Sequence, residues 1–332
     1  MATDMKPPAA AADFLKQYGW GDAELLPVAG DASFRRYFRA LDGDRRAILM
    51  DAPPPHEDPQ PFIAIAEYLK KSGFSAPDIF ARDLTNGLVL IEDFGDHRMR
   101  EHLDASPEDE DAIYQQVVDL LRELHRSPAA SLPVYDESQY MREVNLLTEW
   151  YCPAQELDVE TESFEAAWRQ ILQPVIAAQN PPVTVMRDYH AENIMLLEDG
   201  RLGLLDFQDA LSGHPAYDLV SMLQDARRDV SDALEAKMLA YYLADSSAAA
   251  AEEFRSHYAI LGAQRNTKII GIFTRLCMRD GKQRYLEFLP RMWRLLEKDL
   301  NHPALEPISK WFDQNIPTDV RSRPVRVSED RK

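Results

Sequence analysis

Met186-Arg187-Asp188-Tyr189-His190-Ala191-Glu192-Asn193, followed by Leu204-Leu205-Asp206-Phe207-Gln208, is the stretch whose reading decides the fold. An Asp stands five residues before an Asn, and a second Asp closes a short apolar run. Val183-Thr184-Val185-Met186 has the β-branched pattern of a strand. Ile194-Met195-Leu196-Leu197 is a second apolar run, Glu198-Asp199-Gly200-Arg201 a turn, and Leu202-Gly203-Leu204-Leu205 a third run. Asp188 and Asn193 are therefore expected on a loop between short strands, with Asp206 at the end of the returning hairpin. Catalytic side chains are commonly held on loops fixed by rigid elements in this way. Three oxygen-bearing groups in this order suit phosphoryl transfer from ATP. One carboxylate orients and deprotonates the attacking hydroxyl, while an Asn and a second carboxylate hold Mg²⁺ against the triphosphate.

The order and spacing match the kinase catalytic loop H-R-D-L-x-x-x-N and its D-F-G metal segment. With His214-Pro215-Ala216-Tyr217-Asp218-Leu219 added, the segment resembles the aminoglycoside phosphotransferase/choline kinase branch of the protein-kinase-like fold. The longer pattern, from Gly30-Asp31-Ala32-Ser33-Phe34-Arg35-Arg36-Tyr37-Phe38-Arg39 through Asp206-Phe207-Gln208-Asp209-Ala210, resembles bacterial cell-wall-recycling kinases. Those enzymes phosphorylate the anomeric hydroxyl of N-acetylmuramate and N-acetylglucosamine. The resemblance covers most of residues 10–315. It implies an α+β, bilobal architecture with a small N-lobe built on an antiparallel sheet and a larger, mainly helical C-lobe. The expected divisions are 1–94, 95–317 and a mobile tail at 318–332. ATP and Mg²⁺ are the implied cofactors, with Asp188 catalytic and Asn193 and Asp206 on the metal, gathered in a cleft between the lobes. Asp218 is implied to brace the catalytic loop. Met186 replaces the His of the H-x-D pattern, a buttressing residue that the chemistry does not require.

Composition narrows the partners. The 332 residues carry 37 basic and 56 acidic side chains, a net charge of −19. Such a surface repels nucleic-acid phosphates and anionic lipid, so neither is an expected partner. Binding ATP and an anionic sugar then requires a local basic cluster, because the global field opposes both. Cys152 and Cys277 are too few for a disulfide framework and suit a reduced cytoplasmic setting, each as a small buried hydrophobe. No run approaches eighteen apolar residues, so neither a signal peptide nor a membrane span is expected. The expected partner is a small-molecule amino sugar, with no obligatory protein partner.

Toward the N-terminus, Leu25–Val28, Phe34–Ala40 and Ala47–Met50 read as a three-strand meander whose first turn holds Gly30-Asp31-Ala32-Ser33. The resemblance lays that turn over the ATP phosphates, with Ser33, Phe34, Arg35 and Arg36 as nucleotide-binding positions. Strand three of the kinase fold carries a Lys for the α/β-phosphates, as in V-A-I-K. Here the run is Ala47-Ile48-Leu49-Met50, and Arg35, Arg36 and Arg46 are the nearest replacement cations. Asp58-Pro59-Gln60-Pro61 starts a helix with Phe62, Ile65, Ala66 and Leu69 on its apolar stripe, ended by Gly73. Gly87–Gly95 reads as a strand running into a hinge, where the resemblance places adenine against Glu92 to Phe94.

In the C-terminal part, Ser106-Pro107-Glu108-Asp109 opens a helix with Ile113, Val117, Leu120, Leu121 and Leu124 on one face. Tyr140–Tyr151 reads as another helix, on which Glu149, Trp150 and Tyr151 offer an aromatic face and a carboxylate for a sugar. Tyr258–Arg279 reads as a long helix with Gln264, Lys268 and Arg275 near one face and Arg265 adjacent. That basic patch suits the lactyl carboxylate of N-acetylmuramate, or is a solvated face balanced by acids. His190 is expected near the transferring phosphate or in a structural hydrogen bond. Two other functions remain open from sequence: a kinase for an aminoglycoside, choline or homoserine, and a non-catalytic nucleotide-binding pseudokinase suggested by Met50.

Overall fold

The computed structural model describes residues 5–28 and 34–325. They divide into two compact units: Met1–Pro107 with Glu192–Asp209, and Glu108–Ala191 with Ala210–Lys332.

The first unit begins with α1 (Ala11–Gln17), then β1 (Glu24–Val28), β2 (Arg36–Asp42) and β3 (Arg45–Asp51). Next come α2 (Gln60–Lys71), β4 (Ile79–Asp83), β5 (Leu88–Glu92) and α3 (Met99–Ala105). The strands form one antiparallel sheet in the order β1-β2-β3-β5-β4, so the expected meander is its first three strands. Period-2 alternation divides its side chains. Phe38 and Ala40 of β2, Ala47 and Leu49 of β3, and Leu88 and Leu90 of β5 pack with Phe14, Leu15 and Trp20 of the α1 region in one core. Tyr37, Arg39, Ile48 and Met50 therefore share the opposite face. α2 starts within the expected Asp58–Pro61 stretch, but its N-cap is Pro59, with the Asp58 carboxylate accepting from the Gln60 N–H at 2.9 Å just ahead of it.

The second unit is helical. It contains α4 (Glu110–Arg126), α5 (Glu137–Leu146), α6 (Cys152–Ala154) and α7 (Thr161–Ala177), with a wide i→i+5 turn over Leu147–Tyr151 between α5 and α6. The segment from 183 to 213 then contributes to both units. β6 (Val183–Val185) pairs with β9 (Leu211–Gly213) in the second unit, whereas β7 (Ile194–Leu196) and β8 (Leu202–Leu204) form a hairpin in the first. The remaining helices are α8 (Ala216–Leu223), α9 (Asp232–Tyr242), α10 (Ala248–Asp280), α11 (Leu289–Leu300), α12 (Glu306–Asn315) and α13 (Thr318–Arg321).

α10 is the axis of this unit, with α5, α8 and α11 packed on it. It starts ten residues earlier than its apolar pattern suggests. The Ser247 side chain caps it by accepting from Ala250 N, and Gly281 ends it in a left-handed conformation at φ 68°. Gly271 is required inside it, because a Cβ there would lie 2.4 Å from the Leu146 carbonyl carbon of α5. Cys152 and Cys277 are free and buried.

The structure corrects the expected tail over residues 318–325. Val320 and Arg321 are buried, and Arg321 donates to the Ile316 carbonyl at 2.7 Å and to Asp313 at 2.9 Å. Val320, Val325 and a partnered guanidinium suffice to dock this segment despite its lack of periodicity. Residues 326–332 lie outside the described part.

Candidate active site

The loop carrying Asp188 is shaped by α8. Arg187 adopts φ 68°, a left-handed conformation that costs a side-chain-bearing residue on the order of 1–3 kcal/mol. Asp218, fully buried at 0% exposure, offsets this by accepting from Met186 N at 2.6 Å and Arg187 N at 2.8 Å. A net contribution of about 1 kcal/mol for each of these two hydrogen bonds is of the same order as the strain. Ser221 Oγ also donates to the Arg187 carbonyl at 3.1 Å. Just beyond α8, Asp225 accepts from Ala191 N at 3.2 Å. Burial pushes Asp218 up to about 7, against the pull of the two N–H groups and Arg265.

Asp188 is half-buried within this loop. Burial by itself raises its pKa, but the Lys268, Arg187 and Arg265 cations together hold it below the usual carboxylate range. It therefore stays ionised at neutral pH and available to accept a proton. His190 is buried, which lowers its pKa and leaves the ring neutral. It adds no full positive charge at pH 7.

The cations around Asp188 have a second anion. Glu143 of α5, 4% exposed, is bound by Arg187, by Gln139 Nε2 at 2.9 Å, by Gln264 Nε2 at 3.1 Å and by the Tyr135 hydroxyl, with Lys268 Nζ at 3.4 Å. Burial raises the Glu143 pKa, and Lys268 and Arg187 more than reverse this, leaving it at about 2. Lys268 also donates to the Tyr217 hydroxyl at 3.2 Å, and Arg265 to the Gln224 carbonyl at 3.4 Å. The alternative of a solvated helix face is thus corrected: Gln264, Arg265 and Lys268 are buried. Their partners sit on α5 and α8, which no local periodicity on α10 reveals. Arg275, two turns on, is half-buried, and its buried Nε has no hydrogen-bond partner among the described residues. Glu149 is exposed and Trp150 half-buried on the wide turn after α5, with Glu149 in the electrostatic surroundings of Arg275.

In the first unit the hairpin fixes the other two oxygen donors. Leu205 N donates to the Asn193 carbonyl at 3.0 Å, and Asn193 Nδ2 stands 3.5 Å from Asp206 Oδ2. Asp206 is exposed, at φ 57°, and also accepts from Gln208 Nε2 at 2.8 Å. Its neighbour Phe207 is fully buried and stacks on Phe62 of α2, ring centroids 5.0 Å apart. The burial of that ring aims Asp206 outward. Among the described residues only Glu156, Arg187 and Asp206 are non-glycine with positive φ, and two of these flank or form the proposed chemistry. No group of three or more His, Cys, Asp or Glu that could hold a metal occurs among the described residues. An Asp–Asn pair with phosphate oxygens and water suits the hard, oxygen-seeking Mg²⁺ rather than a zinc-type site.

The hinge joins the same hairpin. The Phe94 ring lies against Gly203, where a Cβ would come within 2.8 Å. Leu196 N donates to the His97 carbonyl and Leu204 N to the Ser75 carbonyl, each at 2.8 Å. Glu92 N–H donates to the Asp78 carbonyl at 2.8 Å, and its side chain accepts from Asp78 N at 3.1 Å. Ser33 lies outside the described residues. Phe34 is exposed, stacks on His56 at 5.3 Å and donates its N–H to Glu57 at 3.2 Å. Arg35 pairs with Glu57 at 3.9 Å, and Arg36 Nε donates to the buried Asp51 at 2.7 Å. Glu143, Arg187, Asp225, Glu57 and Arg39 escaped the sequence reading. Each is an ordinary charged residue whose importance lies in partners remote along the chain.

Residues 24–254 match the model of the APH phosphotransferase enzyme family. The chain belongs to this family. It is a phosphotransferase, as the loop and hairpin motifs led one to expect. A protein of Pseudomonas aeruginosa named N-acetylmuramate/N-acetylglucosamine kinase is 40% identical over 293 residues, covering 84% of this chain and 85% of its own length. One of the same name from Caulobacter vibrioides is 35% identical over 356 residues, covering 94% and 98%. The solved ethanolamine kinase of Plasmodium vivax shares the fold, with a TM-score of 0.62 at 11% identity over 92% of each chain. The α+β, protein-kinase-like class expected from sequence is borne out. No helix among the described residues is long and apolar enough to cross a membrane.

Proposed function

We propose that this chain is an ATP-dependent kinase that phosphorylates the anomeric hydroxyl of N-acetylmuramate, N-acetylglucosamine or both, in the cytoplasmic recycling of cell-wall sugars. The observation that carries the proposal is 35–40% identity to kinases of that name over nearly their whole lengths. Asp188 accepts the proton of the C1 hydroxyl and aligns its oxygen with the γ-phosphorus. The new O–P bond forms as the bond to ADP breaks. An anomeric hydroxyl is more acidic than a simple alcohol, so a carboxylate of depressed pKa works here mainly by orientation. Asn193 and Asp206 are the proposed Mg²⁺ ligands, and the bound ion offsets the phosphate charge. Glu92 and Phe94 are the proposed adenine-side positions, and Glu149, Trp150, His190, Arg265 and Lys268 the acceptor side.

A substrate panel with Mg²⁺-ATP, scored by ADP release and ³¹P NMR of the product, tests this. Phosphate on C1 of an amino sugar is the expected result. Turnover of aminoglycosides, choline or homoserine without response to amino sugars overturns the sugar assignment. Nucleotide binding with no acceptor at all favours the pseudokinase.

A further inference from the structure

Met50 stands where kinase-like folds place the phosphate-binding Lys, so a cation must reach the triphosphate from elsewhere in a chain of net charge −19. The sheet register decides among the arginines nearby. Tyr37 lies opposite Met50 and Arg39 opposite Ile48, all on the face turned away from α1. Arg36 alternates with Tyr37 and shares the α1 face with Phe38 and Ala40. There it is held by Asp51, which is 1% exposed, and reaches toward the Lys6 carbonyl. Moving Arg36 to a phosphate would leave that buried carboxylate uncompensated.

Arg46 shares the Met50 face but sits four residues back along β3, roughly 13 Å away at strand spacing. Its guanidinium lies beside the hinge, 3.4 Å from where a Cβ on Gly95 would stand. Arg39 is at that same end, bound to Asp93 at 2.7 Å and to Asp96 at 2.8 Å. Arg39 is therefore held by the hinge acids, and Arg46 lies in the field of Asp96.

Arg35 is at the opposite end of the sheet. Tyr37 lies opposite Met50, and Arg35 stands two residues before it, just ahead of β2 at the Met50 end. Glu57 holds Arg35 at 3.9 Å and accepts the Phe34 N–H, so it anchors both the side chain and the backbone leading into β2. Glu57 stands just before α2, the helix that in kinase-like folds supplies the acidic partner of the strand-three Lys. Glu67, on α2 itself, instead meets Arg82 at 3.3 Å on the surface.

We propose that Arg35, steadied by Glu57, is the cation that receives the ATP phosphates in place of the missing lysine. Its planar fork matches two phosphate oxygens and approaches from the neighbouring strand instead of from β3. The assignment rests on the ATP-dependent reading and is independent of which acceptor is used.

Calorimetric titration of adenosine, ADP and ATP with Mg²⁺ tests it in the wild-type chain and in Arg35→Met, Arg35→Lys and Arg46→Met. Arg35→Met is expected to weaken ATP by about tenfold to a hundredfold, the range for one charge-assisted contact, while adenosine binds as before. Arg35→Lys should recover part of the loss, and Arg46→Met should keep the wild-type ratio of ATP to adenosine affinity. An unchanged ratio in Arg35→Met overturns the assignment, as does loss of that ratio in Arg46→Met. Equal weakening of adenosine and ATP in Arg35→Met overturns it too. A wild-type chain with no ATP affinity defeats the ATP-dependent reading itself. ATP binding without sugar turnover defeats only the acceptor.

Discussion

Replacing Glu143 with Gln keeps the size of the side chain and removes its charge from between Arg187 and Lys268. Glu143 ionises at about 2 instead of its ordinary 4.5, with Lys268 and Arg187 outweighing burial. At roughly 1.4 kcal/mol per pK unit, that difference corresponds to about 3 kcal/mol of folded-state stability at pH 7. The figure agrees with the roughly 3–5 kcal/mol lost when one partner of a buried ion pair is removed. Because the folded pKa is depressed, the stabilisation is complete above the unfolded value and is lost as pH falls toward 2. At pH 3 the contribution is about half as large. Urea denaturation of wild type and Glu143→Gln at pH 7 and pH 3, followed by circular dichroism, measures both quantities. A difference below about 0.5 kcal/mol at pH 7, the size of an ordinary surface substitution, refutes the reasoning. So does a gap between the two proteins that is as wide at pH 3 as at pH 7.

Three further substitutions probe the site. Asp188→Asn should lower kcat by about 10²–10⁴, the usual contribution of a positioned acid–base group, with ATP affinity by calorimetry nearly unchanged. Wild-type turnover in that variant removes Asp188 from the chemistry. Asp218→Ala withdraws both acceptors from the Met186 and Arg187 N–H groups. It should destabilise the second unit by about 2–5 kcal/mol, read as faster amide exchange at 186–188 than elsewhere. Gly203→Ala drives a methyl into the Phe94 ring and should cost about 1–3 kcal/mol in thermal or urea unfolding. The Arg35→Met titration tests the phosphate cation separately.

How the charges are shared shows why this architecture needs more than its motif. Lys268, Arg187 and Arg265 keep the Asp188 carboxylate ionised despite its burial. Glu143 pairs with the same Arg187 and Lys268, so the two carboxylates share these cations. The acidic surface is compatible with anionic ligands for the same reason: the positive charge that matters is local and half-buried.

The features legible in the sequence are those whose physical cause is short-ranged. Strand alternation, the Gly200 turn and the Asp–Asn and Asp–Phe spacings each depend on a few neighbouring residues, so the meander, the hairpin and the kinase-like class could be read directly. Tertiary structure alone decided which charges meet. Arg187 and Gln264 reach Glu143 from 44 and 121 residues away, and no periodicity connects them. It also separated Arg35 from Arg36, adjacent and chemically identical: the register sets Arg36 opposite Asp51, whereas Arg35, just ahead of β2, meets Glu57. Backbone pattern is a local property of the chain, whereas the pairing of buried charges is set by helices and strands packed from distant parts of it.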